Sequence, residues 1–334
     1  MFGLVKKIMI EGSCKSFLEE SKEKYPFYLN NLKGNLELSK RTIEFCRCFD
    51  FDFDINYKNE ISFKECIKLA YEIISSINPV LGKHFINKIK DKTIVFRDYE
   101  YSYMTDEEDG IKIIIIPNKN VVTAVSLVHE FFHLIHLEKS NCKFTEEEYY
   151  CYTETLGMMG EYYALLYLIE NRPELKDDIK MYINEELIAM YKRGENTLRD
   201  GYLLDVCRNY GNLSKNSIKA YVESNNLSKD YLTMLKYKYD TNFYYGDYVR
   251  YIYSLPSALS LAHQLYFDKN FKNNILNILD NLGKMKFIDW KKIYTNEYIS
   301  NEENMINEAN KLRNWLYNTF YNNENKNEKK LGGL

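Results

Sequence analysis

The chain has 334 residues, with 45 Lys+Arg against 48 Asp+Glu and 45% apolar residues. That balance excludes wholesale disorder, and a net charge of −3 leaves no basic excess with which to displace counterions from a nucleic-acid duplex. Five prolines and 14 glycines are few breakers for this length, which points to a mainly helical fold in one large domain or two modest ones.

Residues 1–10 set two lysines in a short apolar stretch with no small-residue cleavage site, so they read as structure rather than as an export signal. The seven cysteines are odd in number and scattered, which fits a reducing, cytoplasmic setting. Residues 13–90 read as helices. Ser62 and Glu65 form a capping-box pattern ahead of Phe63, Cys66, Ile67, Ala70, Ile73 and Ile74, which recur at helical spacing. Pro79 suits the first turn of the next helix. Residues 50–54 alternate Asp with Phe and read as a loop.

Two β-branched runs follow, 93–96 and 111–116, with 106–110 as the turn between them. A small sheet at about 93–117 is therefore expected within a multi-helix fold. Helices are predicted over 121–139, 145–170, 174–193, 199–210, 214–240, 247–267, 270–282 and 301–321, then a frayed polar tail over 322–334. No apolar run approaches the ~18 residues that would cross a bilayer, so no membrane partner is expected.

One motif carries chemistry: His129-Glu130-Phe131-Phe132-His133. On a helix, residues four apart share a face one turn along, so two imidazoles at that offset can hold one metal ion. Glu130 leaves the metal axis yet stays within reach of a water there, which is the zincin arrangement. Zinc then needs a third protein ligand and an open position. His136 shares the face of His129 but stands about 10 Å further along the axis, so it reads as a supporting or packed residue. Glu154 and Glu161, seven apart on the following helix, are the carboxylate candidates. The first would ligate and the second would orient a ligand histidine. Gly157 and Gly160 lie between them and would let the two helices approach closely.

These residues resemble the thimet oligopeptidase and oligoendopeptidase F family of zinc peptidases. The likeness rests on Thr123 to His136 (TAVSLVHEFFHLIH), on the Glu154-to-Glu161 segment (ETLGMMGE), and on a tyrosine-rich stretch at 243–258. It covers roughly residues 110–265. It implies a shortened, mainly helical zincin-type fold, with residues 1–110 packing on a catalytic region at 111–321. The family register favours Glu154 as the ligand. The resemblance further implies that Tyr248 and Tyr251 donate to the substrate oxyanion, with Tyr244 as a substrate contact. It also implies that Ile113 and Ile115 lie on an edge strand that pairs with bound peptide. The expected activity is hydrolysis of short or unstructured peptides, with Zn²⁺ held by His129, His133 and Glu154 and with Glu130 as general base.

The chain departs from the family in three respects. Phe132 stands where the motif has glycine, no histidine precedes the tyrosines within 238–243, and the chain is about half the usual length. A thermolysin-like or aminopeptidase-like site, and a peptide-binding protein without catalysis, are the alternative readings.

Overall fold

The computed structural model describes residues 14–16, 18–19, 22–23, 26–47, 57–98, 102–107, 110–140, 145, 151–228 and 248–295. The expected loop at 50–54, the helix at 301–321 and the tail at 322–334 lie outside these residues.

Helices α1 (Pro26–Asn30) and α2 (Leu32–Arg47) come first, followed by α3 (Phe63–Ile77) and α4 (Pro79–Lys90). The start of α3 is closed reciprocally. The Ser62 hydroxyl accepts from the Glu65 N–H, and the Glu65 carboxylate accepts from the Ser62 N–H at 3.1 Å. Its apolar face, Cys66, Leu69, Ala70, Ile73, Ile74 and Ile77, is buried. Asn78 then caps α4, whose first residue is Pro79, so the missing proline N–H is one that no helical bond would have used.

Three strands follow: β1 (Ile94–Phe96), β2 (Tyr103–Glu107) and β3 (Gly110–Ile115). The order is β1-β3-β2, with β1 parallel and β2 antiparallel to β3. Two sequence expectations change here. Residues 106–107 of the stretch read as a turn belong to β2, a strand the sequence did not foresee, in which Tyr103, Met104 and Thr105 suit a pleated surface and pair with Ile114, Ile113 and Lys112. More important for function, Ile113 and Ile115 do not lie on an edge. They pair with Ile94 and Phe96 on one side, Ile113 pairs with Met104 on the other, and both side chains are fully buried. The strand read as a peptide-binding edge is the sheet's central strand.

Helix α5 (Val121–Lys139) follows the sheet, and α6 (Glu154–Asn171) packs along it. By length and composition α5 is apolar enough to cross a membrane, which amends the expectation that no segment reaches that length. In this fold it is a core helix, with Val121, Ala124, Val125, Leu127, Val128, Phe131 and Phe132 fully buried.

Helix α7 (Lys176–Tyr210) runs unbroken where the sequence suggested two helices. Gly194 does not end it, because a Cβ there would press on the Ile43 side chain at 3.0 Å, so the glycine serves a helix contact. Helix α8 (Lys215–Ser224) stops well short of 240, where Asn226 turns to a φ of +51°. Then come α9 (Val249–Phe267), α10 (Lys269–Asn273), α11 (Ile275–Asp280) and α12 (Phe287–Tyr294), the last not foreseen.

The chain forms two compact units, each from separated segments: 1–44 with 190–252, and 45–189 with 253–334. The division expected at 110/111 falls inside the second unit. In the first, Gly194 of α7 meets α2, and the Tyr221 hydroxyl donates to Asp205 at 2.7 Å. In the second, the sheet, α3 to α6 and α9 to α12 enclose the main core. There Asp178, fully buried, accepts from the Lys58 and Asn59 N–H groups at 2.6 and 3.0 Å.

Candidate metal centre

The turn from β3 into α5 is fixed by local hydrogen bonds. Thr123 Oγ1 donates to the Ile116 carbonyl at 3.1 Å and accepts from the Asn118 N–H at 2.8 Å. Asn120 caps the helix by accepting from the Val122 N–H at 3.0 Å. The start of α5 is thereby anchored to the buried central strand, and His129 and His133 follow two to three turns along.

Their Nε2 atoms stand 2.9 Å apart. From the first residue of α6, Glu154 places Oε2 at 3.2 Å from His133 Nε2 and 3.5 Å from His129 Nε2. Donor atoms ~2.0–2.1 Å from one tetrahedral ion stand about 3.3 Å from each other. The triangle has that size, and its two imidazole nitrogens and one carboxylate oxygen are donors that zinc accepts. Both histidines keep 12–14% of their side-chain surface exposed against 6% for Glu154. The donor set is therefore closed on the carboxylate side and open on the imidazole side, where a fourth ligand could enter.

Two further features fit an ion at this place. Glu161 Oε2 lies 2.8 Å from His129 Nδ1, so that nitrogen donates to the carboxylate and Nε2 is the one turned toward the other donors. Gly157, one turn beyond Glu154, faces the same point. A Cβ there would come within 2.6 Å of His133 Nε2 and 2.9 Å of His129 Nε2, so no side chain can stand beneath the donors.

The charges agree with this geometry. Burial disfavours an ionised Glu154, yet the adjacent His133 and His129 hold its carboxyl well below the usual range. Burial likewise opposes a charged His129, but its hydrogen bonds to Glu154 and Glu161 and the nearby charge of Glu130 outweigh it and raise its pKa well above 6.5. The centre thus favours positive charge between its carboxylates. Glu130 is itself 7% exposed, at the residue after the first imidazole.

His136 is not part of the donor set. It is 2% exposed, its ring packs on Phe287 at 4.9 Å, and it is hydrogen-bonded to the Thr153 backbone. Burial, with the charge of His133, drives its pKa down to about 3, so it is neutral. Tyr248 and Tyr251 belong to the first unit. The Tyr251 ring lies under the Arg193 guanidinium at 3.8 Å, with Arg250 at 5.4 Å. Tyr244 lies outside the described residues.

Phe132, the departure from the family motif, is matched on α6. A Cβ on Gly160 would meet its ring at 2.4 Å, so the bulk on one helix faces the gap on the other. Sequence reasoning missed three residues around the centre. Thr155 and Ser254 are joined by a buried hydrogen bond next to Glu154. Tyr182 is buried, which lifts its phenol well above 10, and the nearby charges of Glu161 and Glu186 add to the shift. No motif marks any of them.

No family model and no curated protein matches the chain. Among solved structures, the fold is similar to "Crystal structure of putative peptidase from Chlamydophila abortus", with a TM-score of 0.58 at 16% identity. The match takes in 88% of this chain and 56% of that one, so this chain spans little more than half the neighbour's length. At that identity the likeness is one of fold.

Proposed function

We propose that this protein is a zinc-dependent peptidase that hydrolyses short or unstructured peptides. The reading is carried by the triangle of His129 Nε2, His133 Nε2 and Glu154 Oε2, with Glu130 beside the first of them. The fold it shares with the chlamydial protein supports it. Zinc at this centre would polarise the scissile carbonyl and bring the pKa of a coordinated water toward ~7.

The chain's own residues divide the remaining work. Glu161 holds His129 in the tautomer whose Nε2 is a donor. Glu130 takes the proton from the attacking water and delivers it to the leaving amine, a role that general acid–base catalysis fills with about 10²–10⁴ in rate. Tyr248 and Tyr251 are the proposed oxyanion donors, on the strength of the sequence pattern. Substrate would be extended, its backbone pairing with the protein as an added strand. A folded protein presents no such free strand, hence the preference for short or unstructured chains.

The test is Glu130→Gln, assayed on a mixed peptide library by mass spectrometry, alongside metal analysis. We expect full zinc content and cleavage reduced at least 10²-fold. Cleavage at the wild-type rate would remove Glu130 from the reaction. A wild-type protein that binds zinc and peptide but cuts nothing would make it a binding protein.

A further inference from the structure

Glu154 opens α6 directly after the helical residues Cys151 and Tyr152, with Thr153 as a turn residue between them. Thr153 precedes it in helical conformation and makes no side-chain cap. Two other elements hold this junction. From α5, His136 binds the Thr153 backbone. From α9, the Ser254 hydroxyl donates to the Cys151 carbonyl at 3.3 Å and accepts from Thr155 Oγ1 at 3.1 Å. Ser254, Thr155 and Cys151 are all fully buried. A serine within a helix ordinarily turns its hydroxyl back on its own i−4 carbonyl. Here it reaches across and spans the residues on both sides of Glu154.

We infer that Ser254 is a positioning residue for the metal centre, holding Glu154 in place through its paired hydrogen bonds to Cys151 and Thr155. The inference rests on the proposal that His129, His133 and Glu154 bind a metal, and it adds a residue that no ligand motif contains. A buried hydroxyl pair in an apolar setting is costly to leave half satisfied, so removing either partner lets the 151–155 segment shift. A shift of a few tenths of an ångström is enough to spoil a three-point donor set.

The experiment measures Co²⁺ affinity of the metal-stripped, full-length protein by competition with a chromophoric chelator, together with the visible absorption of the cobalt form. Ser254→Ala and Thr155→Val should each weaken binding about tenfold or more and alter the cobalt spectrum. The double variant should be no worse than Ser254→Ala, which already removes the Thr155 bond together with the one to Cys151. Thr155→Ser, which keeps the hydroxyl, should bind as wild type. Should Ser254→Ala fail to fold, by far-UV circular dichroism, the Thr155→Val and Thr155→Ser pair decides alone. Affinities within twofold of wild type in Ser254→Ala and Thr155→Val would overturn the inference, as would equal losses in Thr155→Ser and Thr155→Val. Glu154→Ala serves as the reference. Cobalt binding that Glu154→Ala does not weaken would sink the metal-centre reading itself, a result distinct from the other two.

Discussion

Glu161 Oε2 accepts a hydrogen bond from His129 Nδ1 at 2.8 Å, and this contact decides which nitrogen of the first imidazole is available to an ion. The two residues sit on different helices, so the bond also ties α5 to α6 about two turns beyond Glu154. Glu161→Ala should leave all three donors in place yet weaken zinc binding by about 10–100-fold. Competition with a chelator measures it. Unchanged affinity would show that packing alone orients the ring.

Gly157 gives a sharper test, because it donates nothing. Its missing Cβ would stand 2.6–2.9 Å from both imidazole nitrogens. Gly157→Ala should therefore abolish zinc binding while the apo protein keeps its helical circular dichroism. Gly160→Ala, which presses on the Phe132 ring instead, should lower thermal stability by about 1–3 kcal/mol and affect zinc less.

His136 predicts a pH dependence. Burial holds its pKa at about 3, against 6.5 in the unfolded chain. Between those values the unfolded state binds a proton that the folded state refuses, so this residue's contribution makes stability fall as pH drops below 6.5. The slope is ~1.4 kcal/mol per unit for one proton. The groups acting on it are His133, Glu154 and the Thr153 backbone. His136→Phe should flatten the stability profile between pH 6 and 4 relative to wild type in denaturant titrations of the metal-free protein. Parallel profiles would show that the ring is protonated in the fold.

Asp178 predicts a purely structural cost. It is fully buried and accepts two backbone N–H bonds from Lys58 and Asn59. Asp178→Ala leaves both donors without this acceptor and should destabilise the protein by about 2–5 kcal/mol, read from chemical denaturation.

What could be read from the sequence was what depends on residues near one another in it. The Ser62–Glu65 box and the start of α4 at Pro79 follow local rules, and the structure shows both. The His129–His133 offset follows from helical pitch, and their convergence with Glu154 needed only that the next helix return alongside. Strand order was not legible, because whether Ile113 lies at an edge depends on which segments come to either side of it. The acids of 106–107 also hid β2. The continuity of α7 through Gly194 was hidden for a similar reason, since only the approach of Ile43 explains that glycine. Ser254 lies about 100 residues from the segment it holds, in a serine-containing helix with nothing to distinguish it by spacing.

The glycines of α6 also act as a gauge. Sliding α6 by one residue against α5 would bring Leu156 or Met158 beneath the imidazoles, where there is room for hydrogen alone. Steric exclusion at these two positions thus opposes a one-residue slide of the helix pair. A metal ion held by these donors would therefore meet a spacing already set by the packing of α5 on α6.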